Sequence, residues 1–400
     1  MNILFFSQYY YPEPFLINEI APALVKKGHQ VTVVTGLPNY PSGVIESEYR
    51  RKDKRFEILA GVRIVRCPII PRGRNKFQLL MNYVSYMFSA QRSAQRLKED
   101  FDIVISYQLT PILQVYPAIR YAKKNKKKLL MYNLDLAPMC GSGYIQNKKI
   151  VFSLYSKLSR RLMNACDHIA VTSKSFIEYN HKVNGVPMSR MTYLPQHASD
   201  VMVGADMKAK DNGVSDFMFA GNIAHGSGLD TVIAAAIKLK PQEKFRIHIV
   251  GDGSYLETLK AKVKNASLTD RFVFHGRYPQ EEMPDIYREA DALLITLRAG
   301  QITVPAKLQN YMATGKPIFG AMDGSGKDII NDVGCGVCVS AEDSDGLCEI
   351  MRDYIRNTKR YEMCGTLALN YFKANFTLDT YVENLLQIVS GTLGTNCIKN

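Results

Sequence analysis

Between Phe219 and Asp230 the chain reads Phe-Ala-Gly-Asn-Ile-Ala-His-Gly-Ser-Gly-Leu-Asp, a glycine-dense turn between a short apolar run and an amphipathic segment. Glycines let backbone N–H groups approach a ligand closely, and a helix starting there presents its positive end to an anion such as a diphosphate. An ordinary βα turn is the competing reading. Further along, Val304-Pro-Ala-Lys-Leu-Gln-Asn-Tyr-Met-Ala-Thr-Gly-Lys-Pro-Ile318 places Lys307 at a helix start. A cation there opposes the macrodipole, so its presence points to a bound anion. Asp135 closes an apolar run in Tyr132-Asn-Leu-Asp-Leu-Ala-Pro138. A carboxylate at the C-terminal end of a strand could orient a hydroxyl or accept its proton. An Asx turn or helix cap accounts for the same residue. His197 is a lone histidine in a linker and receives no role.

These residues need a frame that brings loop ends together. Four hundred residues imply two domains or perhaps three. Short β-branched or apolar runs alternate with longer amphipathic segments, the signature of βαβ units around parallel sheets. Strands are expected at Ile3–Ser7, Val31–Thr35, Val62–Cys67, Ile103–Tyr107, Leu129–Asn133 and His168–Thr172, with helices near Leu16–Lys27, Phe77–Lys98, Pro111–Lys124 and Val151–Asn164. A second series runs through Phe217–Ala220, Phe245–Val250, Phe272–Phe274, Ala292–Thr296, Pro317–Ala321 and Cys335–Val339. The class is therefore α/β, with two Rossmann-like domains in tandem. Leu194–Asp200 is the expected linker, and Leu378–Val389 is one further amphipathic helix. Open parallel sheets bind ligands beyond the carboxyl ends of their strands, so two such sheets are expected to face a central crevice.

Several chemistries are excluded. No G-x-G-x-x-G is present, since Gly251-Asp-Gly253 and Gly141-Ser-Gly143 lack the third glycine, which argues against a nicotinamide dehydrogenase. Gly326-Lys327 lacks the remaining residues of a P-loop. The eight cysteines are scattered, and Cys335 and Cys338 read as part of a buried strand rather than a metal site. No stretch has the apolar length of a membrane span, and the first residues lack a secretory n-region and cleavage site, so a cytoplasmic protein is expected.

The segments YYYPEPF, KKGHQVTVVTGLPNYPSG, LDLAP, ACDHIAVTSKSF, YLPQ, FAGNIA, IVGDGSYLETL and VPAKLQNYMATGKPI together resemble the retaining glycosyltransferases of family 4, nearest the bacterial capsule and O-antigen polysaccharide subgroup. The likeness spans essentially the whole chain. It implies the GT-B fold, an acceptor-binding domain over residues 1–195 completed by a C-terminal helix in 377–400, and a nucleotide-sugar-binding domain over 200–376. It implies a UDP-sugar donor, a polyprenyl-diphosphate-linked saccharide acceptor, and no obligatory metal or cofactor. Carried over, Gly221 and Asn222 would sit at the diphosphate with Lys307 pairing its charge, Asn310 near the ribose, and His275, Gly276 and Arg277 at the edge of the base. Where many members have Arg and Lys in the glycine-rich loop this chain has Asn222 and Ser227. The family's paired glutamates would fall at Ile302 and Asn310. Lys307 is thus left as the main phosphate cation. Front-face attack, in which the leaving diphosphate itself can take the acceptor proton, leaves Asp135 to orient or to catalyse.

Charge is divided unevenly: residues 1–200 carry a net +16 and residues 201–400 a net −2. Arg72, Arg74, Lys76 and Phe77 open the segment Phe77–Lys98, rich in aromatics and Met and ending in Arg92, Arg96 and Lys98. Basic flanks on such a helix suit an anionic bilayer surface, here the inner face of the cytoplasmic membrane, with the same residues near the acceptor. A core helix with solvated ends is the alternative. The rival functions are a non-hydrolysing nucleotide-sugar 2-epimerase, which would need more carboxylates and histidines in the crevice, and a basic nucleic-acid-binding protein, for which no recognition motif is present.

Overall fold

The computed structural model describes residues 1–73, 75–139, 149–199, 201–205, 207, 212–239, 243–301 and 304–394. Arg74 and Ile302 therefore lie outside the described residues. The chain divides into two compact units, Met1–Pro195 with Leu378–Asn400, and Gln196–Thr377.

The first unit is built on an eight-stranded sheet in the order β3-β4-β2-β1-β5-β6-β7-β8. Its strands are β1 (Asn2–Phe6), β2 (Gln30–Gly36), β3 (Phe56–Leu59), β4 (Val62–Cys67), β5 (Ile103–Gln108), β6 (Lys128–Asn133), β7 (His168–Val171) and β8 (Met191–Tyr193). β1 lies centrally, Ile3 pairing in parallel with Val31 on one side and Ile103 on the other. Every residue of β5 is buried, as a parallel strand covered on both faces requires. Only β3 runs antiparallel, hairpinned onto β4. It is absent from the strands expected from sequence because its pattern is inverted: Phe56 and Ile58 stand outward, 64% and 75% exposed. The helix Lys174–Asn184, also unanticipated, lies between β7 and β8. The C-terminal helix Leu378–Leu393 sends Tyr381, Val382, Leu385 and Val389, one helical stripe, into the same core as Ile17, Leu24 and Tyr132.

The second unit has a six-stranded, wholly parallel sheet ordered β11-β10-β9-β12-β13-β14. Its strands are β9 (Ser215–Ala220), β10 (Phe245–Val250), β11 (Phe272–Gly276), β12 (Ala292–Thr296), β13 (Ile318–Ala321) and β14 (Gly336–Val339). The chain winds outward from β9 to β11, then restarts on the other side of β9 with β12. That reversal is a topological switch point, the place where open α/β sheets take ligands. Cys335 and Cys338 are free and buried, and burial pushes both thiols up to about 12.

Candidate functional site

The carboxyl ends of β9, β10 and β11 open into a cavity of about 1060 Å³. Close backbone packing builds its floor. Gly221 N–H donates to Val250 O at 2.9 Å, Ile223 N–H to Asp252 O at 2.9 Å, and Gly251 N–H to Gly276 O at 2.7 Å, so the three turns are laced together. Gly251, at φ +134°, is where only glycine fits, because a Cβ there would lie 1.9 Å from the Gly221 carbonyl oxygen.

The opposite wall is the helix Ala306–Ala313, which contributes Ala306, Lys307 and Asn310. Tyr311 fixes its position. Its fully buried hydroxyl accepts from Ala220 N–H at 2.7 Å and donates to Ala220 O at 3.0 Å, tying the helix to the end of β9. Lys307, on the first turn, places Nζ 3.9 Å from the centroid of Phe219, a cation–π distance. Desolvation lowers its ammonium to about 7. A bound polyanion would restore the charge. Arg277, exposed, brings a second cation to the cavity, and Tyr278, Met283 and Tyr287 supply an apolar side.

Of the residues singled out in the sequence, Gly221, Asn222, Arg277, Lys307 and Asn310 line this one cavity. Ser227 does not. It is buried, its hydroxyl donating to Asn222 O at 2.7 Å and accepting from Ala224 N–H at 3.3 Å, so it shapes the glycine-rich turn from within. Gly276 acts through its carbonyl as the anchor for Gly251. His275 faces elsewhere, 2.8 Å from His248, and is no part of the cavity wall. Tyr311 and Gly251 are positioning residues to which residue order assigns no individual role; they stand in VPAKLQNYMATGKPI and IVGDGSYLETL, but the contacts to Ala220 and Gly221 that require them arise from the tertiary fold.

In the first unit a second cluster gathers beyond the ends of β1, β2 and β6. Arg72 Nη1 donates to the Tyr9 hydroxyl at 3.2 Å, and its guanidinium lies 5.3 Å from the Tyr40 ring centroid. Tyr9 stacks on Phe15 at 5.0 Å. Tyr83 lies beside Tyr9 and Arg72, and its hydroxyl, raised chiefly by burial, also feels the Asp135 charge. Asp135 itself is half-buried, and its Oδ2 accepts from Thr110 N–H at 2.8 Å, a tie from the end of β6 to the end of β5 rather than an Asx turn or cap. Beside them Glu13 is 3% exposed; Oε1 accepts the Asn39 and Tyr40 N–H groups at 2.8 and 2.6 Å. Burial outweighs these bonds and lifts its carboxyl to about 7. Glu13 stands in YYYPEPF, but nothing local in that segment marks its side chain as buried.

The basic segment is corrected in part. Arg72 is half-buried in the Tyr9 cluster rather than displayed toward a bilayer. Lys76 and Phe77 are exposed at the start of the helix Lys76–Ala94, which Asn75 caps by accepting Gln78 N–H at 2.8 Å. That helix buries Asn82, Tyr86, Ala90 and Ala94, while Phe77, Leu80 and Phe88 point outward on the opposite face, 70%, 50% and 59% exposed. Among the described residues no helix is long and apolar enough to cross a membrane.

Two family models match the chain: Glycosyltransferase Family 4 over residues 16–196 and Glycosyl transferases group 1 over residues 206–370. The putative colanic acid biosynthesis glycosyl transferase WcaI of Escherichia coli K12 is 26% identical, covering 97% of this chain and 98% of its own. The probable glycosyltransferase WbjE of Pseudomonas aeruginosa is also 26% identical, over 68% of this chain and 70% of its own. Among solved structures, HepE of Anabaena in complex with UDP superposes with a TM-score of 0.69 at 12% identity, covering 98% of this chain and 99% of that one.

Proposed function

Because the chain belongs to glycosyltransferase family 4 and has the GT-B fold, we propose that it transfers a sugar from a UDP-sugar, with retention of configuration, onto a polyprenyl-diphosphate-linked saccharide. A glycosyltransferase of bacterial surface-polysaccharide synthesis is the coarser statement, carried by the family and by the relatives WcaI and WbjE. The epimerase and nucleic-acid readings give way to it.

One observation supports the donor reading most: three glycine-bearing strand ends and the first turn of the Ala306–Ala313 helix converge on a single cavity with Lys307 at its wall. Backbone N–H groups and a helix N-terminus suit a diphosphate. UDP is the nucleotide that HepE was solved with. Lys307 and Arg277 neutralise the charge that grows on the leaving diphosphate, which is transition-state stabilisation by groups already in place. In this scheme the cationic duties fall to those residues and no metal is required. The departing oxygen takes the proton of the attacking hydroxyl on the same face, and Asp135 orients that hydroxyl.

The acceptor side is the Tyr9, Arg72, Asp135 cluster, where aromatic rings and a guanidinium suit sugar faces and a phosphate. The lipid is held at the membrane by the outward Phe77, Leu80 and Phe88 with Lys76 and the +16 excess of the first half. Incubating the protein with a panel of UDP-sugars and bacterial membrane extract tests the reading: one sugar added to a polyprenyl-linked product supports it, and turnover of none refutes it.

A further inference from the structure

Within the last three residues of β10 and of β11, just before the glycine-laced turns, lies a group that the transfer reaction does not use. His248 Nδ1 is 2.8 Å from His275 Nε2, and each nitrogen is 3.9 Å from Glu289 Oε2. The three ligand atoms all fall within 4.8 Å of one another. Both imidazoles are largely buried, with side-chain exposures of 6% and 12%, while Glu289 is 51% exposed at the rim of a cavity of about 430 Å³. A buried lone-pair donor set with one open side is what a cation needs in order to bind and exchange.

The ring of His248 is oriented from behind. Its Nε2 lies 3.0 Å from Asp216 Oδ1, and a carboxylate accepts only, so Nε2 carries the proton and Nδ1 presents its lone pair to the group. Asp216 is in turn held by Arg246 at 2.8 and 2.9 Å. A carboxylate behind a ligating histidine is the recurrent support of zinc sites. In the cation-free protein His275 Nε2–H must donate to His248 Nδ1. A cation would replace that proton, which moves to Nδ1 of His275. The positive charge around the cavity is already matched, Arg246 by Asp216 and Arg288 by Asp285 at 2.9 Å.

We propose that His248, His275 and Glu289 form a site for a borderline divalent transition cation, Zn²⁺ in particular. Two imidazoles and one carboxylate with a vacant fourth position are a known zinc donor set. Tetrahedral bonds of about 2.05 Å put ligand atoms about 3.3 Å apart, between the 2.8 and 3.9 Å found here, so small side-chain rotations close the site. Magnesium and calcium prefer all-oxygen shells and are disfavoured. The position gives the site a consequence. His248 is in β10, His275 in β11, and Glu289 directly follows the helix Met283–Arg288; the same three elements run on to Gly251, Arg277, and Met283 with Tyr287 in the donor cavity. One cation would clamp one whole wall of that cavity. The clamp rests on the proposed donor reading; the binding of the cation does not.

The test is a Co²⁺ titration of the chelator-treated full chain, followed by ligand-field absorbance. One equivalent should produce the intense bands of four-coordinate cobalt, displaced by Zn²⁺ but not by Mg²⁺. Glu289→Gln and His275→Ala should each weaken binding at least tenfold. Because both residues are away from the Asp216 support, the variants should fold, which circular dichroism checks. Zn²⁺ should also raise the wild-type Tm and leave that of His275→Ala unchanged. Absence of stoichiometric cobalt binding, or equal binding by wild type and both variants, overturns the site. Cobalt binding without any change in UDP affinity retains the site and removes the clamp.

Discussion

Arg72 and Tyr9 share a hydrogen bond of 3.2 Å, and the same guanidinium lies over the ring of Tyr40. Arg72 is thereby held, half-buried, among the residues that gather around Tyr83 and Asp135. Arg72→Ala should therefore act on the acceptor. A charged hydrogen bond is worth about 1.5–3 kcal/mol, so kcat/KM for the acceptor should fall roughly ten- to a hundredfold. UDP-sugar affinity and vesicle binding should stay at wild-type values. Steady-state kinetics with each substrate varied separately distinguish the two sides.

Asp135→Asn keeps a side-chain oxygen for the Thr110 N–H. The tie between β5 and β6 should survive, leaving stability within about 1 kcal/mol of wild type. Transfer should fall steeply while calorimetry finds UDP-sugar binding intact. Lost donor binding would place Asp135 on the wrong substrate.

Glu13 gives a stability signature with a definite sign. Its folded carboxyl is lifted to about 7, above the ordinary value of about 4.5, because burial outweighs the Asn39 and Tyr40 hydrogen bonds. Between those values the native protein holds a proton that the unfolded chain has released, so stability falls as pH rises from about 4.5 to 7. Glu13→Gln should remove up to about 3 kcal/mol of that fall. Denaturant melts of both proteins at several pH values measure it; parallel curves would mean that Glu13 is ionised throughout.

The outward face of the Lys76–Ala94 helix separates two contributions to membrane binding. Exchanging Phe77, Leu80 and Phe88 for Ser should abolish the salt-resistant part of binding to anionic vesicles. Lys76→Ser should weaken only the part that salt screens, by about 1 kcal/mol. Sedimentation with neutral and anionic vesicles reads both; unaltered binding by the triple variant would return the helix to a purely structural role.

Elements with clear period were legible from residue order. Buried parallel strands such as Ile103–Gln108 are short apolar runs, and the crossover helices carry stripes at helical spacing. β3 was illegible because its apolar residues face solvent. In the second unit, the glycine turn and Lys307 stood out through residue type. Tyr311 and Gly251 did not, since their value lies in contacts to Ala220 and Gly221 that strand pairing creates. The same holds for His248 and His275, which meet only because β10 and β11 are neighbours. His275 was placed at the donor through its nearness to Arg277, but β11 ends at Gly276, whose φ of +77° turns the chain, so that Arg277 reaches the cavity while His275 meets His248. Arg72 read as surface charge because sequence does not show that Tyr9, Tyr40 and Tyr83 converge on it.

The central claim is that the donor diphosphate binds in the second unit against Lys307. With its ammonium lowered to about 7 by desolvation, Lys307 must take up a proton when a dianionic UDP-sugar binds at higher pH. Calorimetry in buffers of different ionisation enthalpy measures this directly. The account predicts net proton uptake approaching one above pH 7, affinity that weakens as pH rises, and, for Lys307→Ala, loss of the uptake together with roughly ten- to a hundredfold weaker binding. Wild-type affinity and unchanged proton uptake in a folded Lys307→Ala protein would contradict it.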